Sequence, residues 1–296
     1  MIENVSRVSS SALIVNLSIS VWTGRKLGKR VSEAVDQQNN TKGRAGNYHK
    51  NLLAGSGKLE EIGKTANAIR TWLYNCTQPW GDNGDRLLPM TSLVDFKSRL
   101  TTYEQEFATS VNNFLTEYDN LVSAEAFKLA FELGGLFNRD DYPSREHITS
   151  KFGFRYSLSP LPTSGDYRID IAEDGLNELK NHYEGVLETR VNGAMQDAWD
   201  RLHDVLSRMS ERLTPDIDEN GDEKRKIFRD SLVENAIEVC GLLKHFNITN
   251  DVRLEEMRRQ LEDAMRGVDA SSLRESDVLR QQTKRKVDDL LGKFAI

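Results

Sequence analysis

The densest chemistry in this chain is cationic: Arg25, Lys26, Lys29 and Arg30 fall within six positions and are continued by Lys42, Arg44 and Lys50. Read as one helix, Arg25 and Lys29 stand a turn apart, as do Lys26 and Arg30. The four then form a stripe suited to phosphates or to an acidic protein surface. Trp22 beside them reads as a core anchor. The stripe sits in a polarised chain. Met1 to Lys58 carries nine Lys or Arg against three Asp or Glu, a balance of +6, while the remainder carries 31 against 43, or −12. The net charge of −6 and sequence pI near 5.6 conceal that asymmetry.

Other patterns with chemical meaning are incomplete. Asp216, Asp218, Asn220 and Gly221 match the first half of a calcium-binding loop, whose alternating oxygens wrap the ion. Counted from Asp216, however, the position that must supply a bidentate carboxylate holds Ile227, so the segment reads as a solvated turn between helices. Gly55, Ser56, Gly57 and Lys58 are similar to the end of a phosphate-binding loop, but Leu52 stands where the first glycine belongs and Leu59 replaces the Mg²⁺-binding hydroxyl. His49, His147, His182, His203 and His245 are scattered without metal-ligand spacing, and none is placed beside a nucleophile. Cys76 and Cys240 lie within apolar helical patterns, as small core residues in a reducing compartment do. These readings name no catalytic residue, metal site or cofactor. The expectation is a protein that is not an enzyme.

The elements that must carry these residues are mainly helical. Leu13, Val15, Leu17, Ile19 and Val21 alternate with period two and mark a strand. Phe152 to Ser159 and Asp166 to Ile171 are two further strands joined through Pro160, Pro162 and Ser164-Gly165, and with the first they make a small three-stranded antiparallel sheet. Leu59 to Cys76 follows helical spacing, and a turn cluster from Gly81 to Pro89 separates it from the next helix. From Leu93 to Leu121 the apolar positions step by 3.5 residues on average, the heptad value, and from Leu176 to Leu213 by 3.7. These two long stripes predict an antiparallel, coiled-coil-like helical hairpin with the sheet at its turn. Shorter helices follow beyond Phe228. The expected division is 1–214 for strand, basic helix, hairpin and sheet, and 223–296 for a carboxy-terminal helical module. No apolar run is long enough to span a membrane, and the first eleven residues do not look like a secretory signal.

The stretches Val21–Leu27, Arg44–Tyr48, Arg86–Pro89, Phe137–Pro143 and Lys226–Leu232 resemble a bacteriophage and prophage family defined only as a domain of unknown function. That resemblance implies the cytoplasm of an infected bacterium and genes placed beside a ring-forming AAA-type ATPase and a protein with a metal-dependent adhesion-type domain. It implies an adaptor in a remodelling machine and transfers no catalytic residue. The expected function is therefore a phage-type assembly or adaptor protein that binds itself or another protein through helical interfaces. A DNA-binding accessory of replication, recombination or packaging is one alternative, and an inhibitor of a host defence complex is another. For either kind of partner, Arg25, Lys26, Lys29, Arg30, Lys42 and Arg44 are the expected contacts.

Overall fold

A computed structural model describes residues 10–41, 46–53, 56–132, 138–161, 173–217, 221 and 223–295. The strands are β1 (Ala12–Ser20), β2 (Arg25–Leu27), β3 (His49–Asn51), β4 (Gln78–Pro79), β5 (Arg86–Pro89), β6 (Gly153–Pro160), β7 (Asp216–Ile217) and β8 (Glu223–Lys224). The helices are α1 (Lys29–Gln38), α2 (Gly57–Cys76), α3 (Leu93–Glu132), α4 (Arg145–Thr149), α5 (Glu173–Leu213), α6 (Ser231–Phe246), α7 (Val252–Met265), α8 (Ala270–Glu275) and α9 (Asp277–Gly292). The chain is mainly helical with a small antiparallel sheet, and α3 and α5 each extend about 60 Å at 1.5 Å per residue.

The main sheet has four strands in the order β4-β5-β1-β6, not the three expected. Ala12 of β1 faces Pro89 and Val15 faces Arg86, while Gln78 of β4 faces Leu87. The additional strands are short and their residues largely buried, so they lack the polar alternation that reveals a strand. The predicted strand at Asp166 to Ile171 lies outside the described residues. Two further ribbons pair β2 with β3 and β7 with β8.

The chain divides into two compact units. Unit 1 contains 1–16, 74–95 and 157–296, and unit 2 contains 17–73 and 96–156. Within unit 1, α6 and α9 pack on α5. Each long helix is covered within its own unit. Lys58 near the start of α2 pairs with Glu117, and Trp72 near its end stacks on Phe96 at 5.0 Å and meets Tyr103 at 5.0 Å. The two ends together set α2 and α3 antiparallel in unit 2. The α3 stripe, including Phe107, Phe114 and Tyr118, is buried with Ile62, Ala66 and Ile69 of α2 and Ile19 of β1. The α5 stripe, from Leu187 through Leu202 to Leu213, is buried with α6, α7 and α9 in unit 1. Periodicity demands that a stripe be covered without specifying its partner, and here each stripe is covered by other elements than the long helix predicted to face it.

Helix ends in unit 1 are closed in a consistent way. Asp251 and Ser276 accept amide hydrogen bonds at the starts of α7 and α9, and Asp269 does so at the start of α8. Arginines close the opposite ends. Arg201 donates to the carbonyls of Tyr74, Asn75 and Thr77 at 2.9, 2.9 and 3.1 Å, and Arg86 donates to Tyr74 and Thr77 at 3.2 and 2.7 Å. Arg280 similarly reaches Arg212 and Leu213 at the end of α5, at 2.8 and 3.3 Å. A planar fork of donors suits this role, because the final carbonyls of a helix lack intrahelical partners and carry its partial negative charge.

Candidate functional site

The basic segment does not form the single helical stripe that its spacing suggests. Arg25 and Lys26 belong to β2, Gly28 turns the chain, and Lys29 and Arg30 begin α1. Two glycines make that path. Gly24 takes φ +63°, and a Cβ there would stand 2.9 Å from the Leu52 carbonyl oxygen, whose residue returns a backbone bond from its amide to Gly24 at 2.6 Å. At Gly28 a Cβ would stand 2.7 Å from Tyr48 Cδ1. The Gly28 amide donates to the Tyr48 carbonyl at 2.9 Å, and the Tyr48 amide donates to Ser32 Oγ at 3.0 Å. Strand β3 and helix α1 are thereby tied to one another, and the cations are carried on a fixed backbone.

Strand geometry then distributes the charges. Arg25 and Lys26 project to opposite faces of the ribbon, and Lys26 lies across from Lys50. Lys50 is half-buried and paired with Asp141 at 2.7 Å. By contrast, Arg25, Lys26, Lys29 and Arg30 are exposed, and among the described residues none lies within 4.0 Å of a carboxylate. Helix α1 also carries its charges in an unfavourable order, with Lys29 and Arg30 at its partly positive start and no acidic residue in the first turn. Lys42 and Arg44 lie outside the described residues.

A second exposed surface, in unit 1, escapes sequence reasoning. Ile217 is 74% exposed, Ile227 91% and Val278 66%. Lys226 pairs with Asp216 at 3.3 Å and Arg225 pairs with Asp277, so ion pairs between their immediate neighbours draw the three segments to one corner. Ile227 is the residue that breaks the calcium-loop pattern. Asp216 and Ile217 instead form β7, paired with Glu223 and Lys224 of β8. An alternation too short to read, on a turn, leaves no sequence signal for this corner beyond isolated β-branched residues among charges.

Other chemically capable groups have structural occupations. Lys58 reaches Glu117, while Ser56 is buried before the start of α2. His245 Nδ1 meets Thr91 Oγ1 at 2.8 Å, and the His203 ring packs on Phe294 at 5.1 Å. Burial pushes the Cys76 thiol up to about 12 and the Cys240 thiol up to about 11. A groove of about 840 Å³ along α7 includes Lys244, Asp251, Glu255, Arg258 and Arg259. Within it, hydrogen bonds from Arg258 hold the Glu255 carboxyl down to about 2, with Arg259 assisting, and the same contacts raise the Arg258 guanidinium above its ordinary range. Among the described residues, no three His, Cys, Asp or Glu side chains gather as a metal ion would require, and no helix is long and apolar enough to cross a membrane.

Comparison of the chain with models of protein families, with characterised proteins and with solved structures found no match. The functional reading accordingly rests on the surfaces themselves.

Proposed function

We propose that this chain is a non-enzymatic assembly or adaptor protein of bacteriophage type, acting in the bacterial cytoplasm by holding partners on its surface. The observation that carries the reading is that, among the described residues, each unit exposes side chains that its own packing does not use. Unit 1 has the Ile217, Ile227 and Val278 corner, and unit 2 has the Arg25, Lys26, Lys29 and Arg30 element. Three β-branched residues left in water beside ion-paired neighbours are a poor choice for stability and a good one for a protein contact. The cation element is chemically unlike it, so one chain offers two partners two different kinds of contact. An AAA-type ATPase is the partner implied by the family resemblance.

The test is the mass in solution, measured by light scattering, of the chain purified with whatever accompanies it. The reading expects a species above the 33.6 kDa of one chain that returns to the single-chain mass when Ile217, Ile227 and Val278 are all replaced by Asp. A single-chain mass in wild-type material captured from infected cells, with no companion retained, rejects it.

A further inference from the structure

From the arrangement around Gly28 we infer that the β2–α1 element is a contact surface for the sugar-phosphate backbone of nucleic acid. The inference rests on the adaptor reading only in taking the same element as a partner surface, and it identifies that partner. Four exposed cations, none of them within 4.0 Å of a carboxylate among the described residues, are the electrostatic footprint of a polyanion.

Their geometry narrows the class. Arg25 and Lys26 project to opposite faces of β2, whose three residues are all exposed, while Lys29 and Arg30 diverge by about 100° around α1. Divergent charges do not converge on one carboxylate or on a single free phosphate. They match a ligand whose charge is spread along a chain, with a repeated phosphate to meet each cation. A folded acidic protein would instead offer intermittent carboxylates and would need apolar anchors, which a central protein contact requires. The element supplies fewer such anchors than cations: Leu27 and Val35 are its exposed large apolar side chains among the described residues, at 39% and 44%, both near the lower end of exposure.

Energetics point the same way. Cations at the start of α1 oppose the helix dipole, and the capping residue Gly28 offers no side-chain acceptor to the first amides. An incoming phosphate reverses that penalty by meeting both the cations and the amide end of the helix. The bonds tying Gly28, Ser32 and Tyr48 hold this presentation before any ligand arrives, which reduces the ordering cost of binding. The contact is with backbone rather than with bases, so it is insensitive to sequence.

The experiment is fluorescence anisotropy of the full chain with a labelled oligonucleotide of about 20 nucleotides, single-stranded and duplex, titrated across salt. With up to four phosphates neutralised, log K against log salt should fall with a slope of about −2.8 for the single strand and about −3.6 for the duplex. That is a loss of roughly 50-fold to 150-fold in affinity between about 50 and about 200 mM salt. Replacing Arg25, Lys26, Lys29 and Arg30 together by Glu should abolish binding, and each single Gln substitution should flatten the slope by about one. Circular dichroism must show the quadruple variant folded. If it is not, the four single Gln variants decide the matter by their slopes. Replacing Arg285 and Lys286 of α9 by Glu should leave binding intact. The inference is overturned by salt-independent binding, by unchanged slopes in the single variants, or by polyglutamate competing as strongly as the oligonucleotide, which would assign the surface to an acidic protein. Failure here leaves the mass measurement on the Ile217 corner untouched, so the two readings fail separately.

Discussion

Arg86 and Arg201 close the same helix end, and removing them one at a time should reveal less than removing both. Each guanidinium donates to the carbonyls of Tyr74 and Thr77, so after Arg86→Met the second arginine still serves both oxygens, and the reverse holds for Arg201→Met. A hydrogen bond from a charged donor contributes about 1.5–3 kcal/mol, but burial already lowers the Arg86 pKa, so losing that cation also relieves a desolvation cost. Methionine keeps much of the packing made by the arginine stem. Each single substitution should therefore cost about 1–2 kcal/mol. With both gone, the carbonyls of Tyr74 and Thr77 lose both guanidinium donors at the end of the helix that carries its partial negative charge, which adds a further penalty of about 1–2 kcal/mol. The double variant should thus exceed the sum of the singles by at least about 1 kcal/mol, a coupling readable in a double-mutant cycle. Thermal unfolding followed by circular dichroism measures it, at roughly 2–4 °C for each kcal/mol in a unit of this size. Additive losses, within about 0.5 kcal/mol, would refute the shared cap.

Three further outcomes are expected. The Glu255 carboxyl is held at about 2, below its unfolded value, so its contribution to stability is fully present above about pH 4.5 and is lost as pH falls toward 2. Glu255→Gln should consequently be less stable than wild type at pH 7, with the difference in melting temperature shrinking through that window; a difference that grows on acidification contradicts the sign. Native Cys76 and Cys240 should react with a thiol reagent at pH 8 far more slowly than a free cysteine, and both at the free rate in urea, because burial keeps their protons on. Gly28→Ala places a methyl group 2.7 Å from the Tyr48 ring and should destabilise unit 2 by about 1–3 kcal/mol without altering its charge, as a melt of the variant would report.

Much of the helical framework is legible in sequence because an amphipathic stripe is repeated many times over a long helix. Phe96, Phe107 and Phe114, and later Leu187, Leu202 and Leu213, are buried as their spacing predicts. The strand at Ala12–Ser20 and that at Gly153–Pro160 are likewise visible, the first by alternation and the second by its aromatic and turn flanks. What spacing cannot supply is the identity of the covering partner: within their units α3 is covered by α2, and α5 by α6, α7 and α9. The strand at Arg86–Pro89 is hidden because its four residues are all buried, including an arginine whose charge is absorbed by helix carbonyls. The basic surface is legible as a set of residues but not as a geometry: glycines at 24 and 28 break it into strand and helix, and six residues are too few for periodicity to distinguish these. The Ile217, Ile227 and Val278 corner is joined to α9 by the pairing of Arg225 with Asp277, distant in sequence, and so has no local signature.

The claim that this chain works by holding partners is tested most directly by light scattering on material captured from infected cells, wild type beside the variant with Ile217, Ile227 and Val278 all changed to Asp. Wild type should form a particle heavier than 33.6 kDa, and the variant should have single-chain mass with an unchanged circular dichroism spectrum. A wild-type particle of 33.6 kDa, or a heavier one that the variant retains in full, would contradict it.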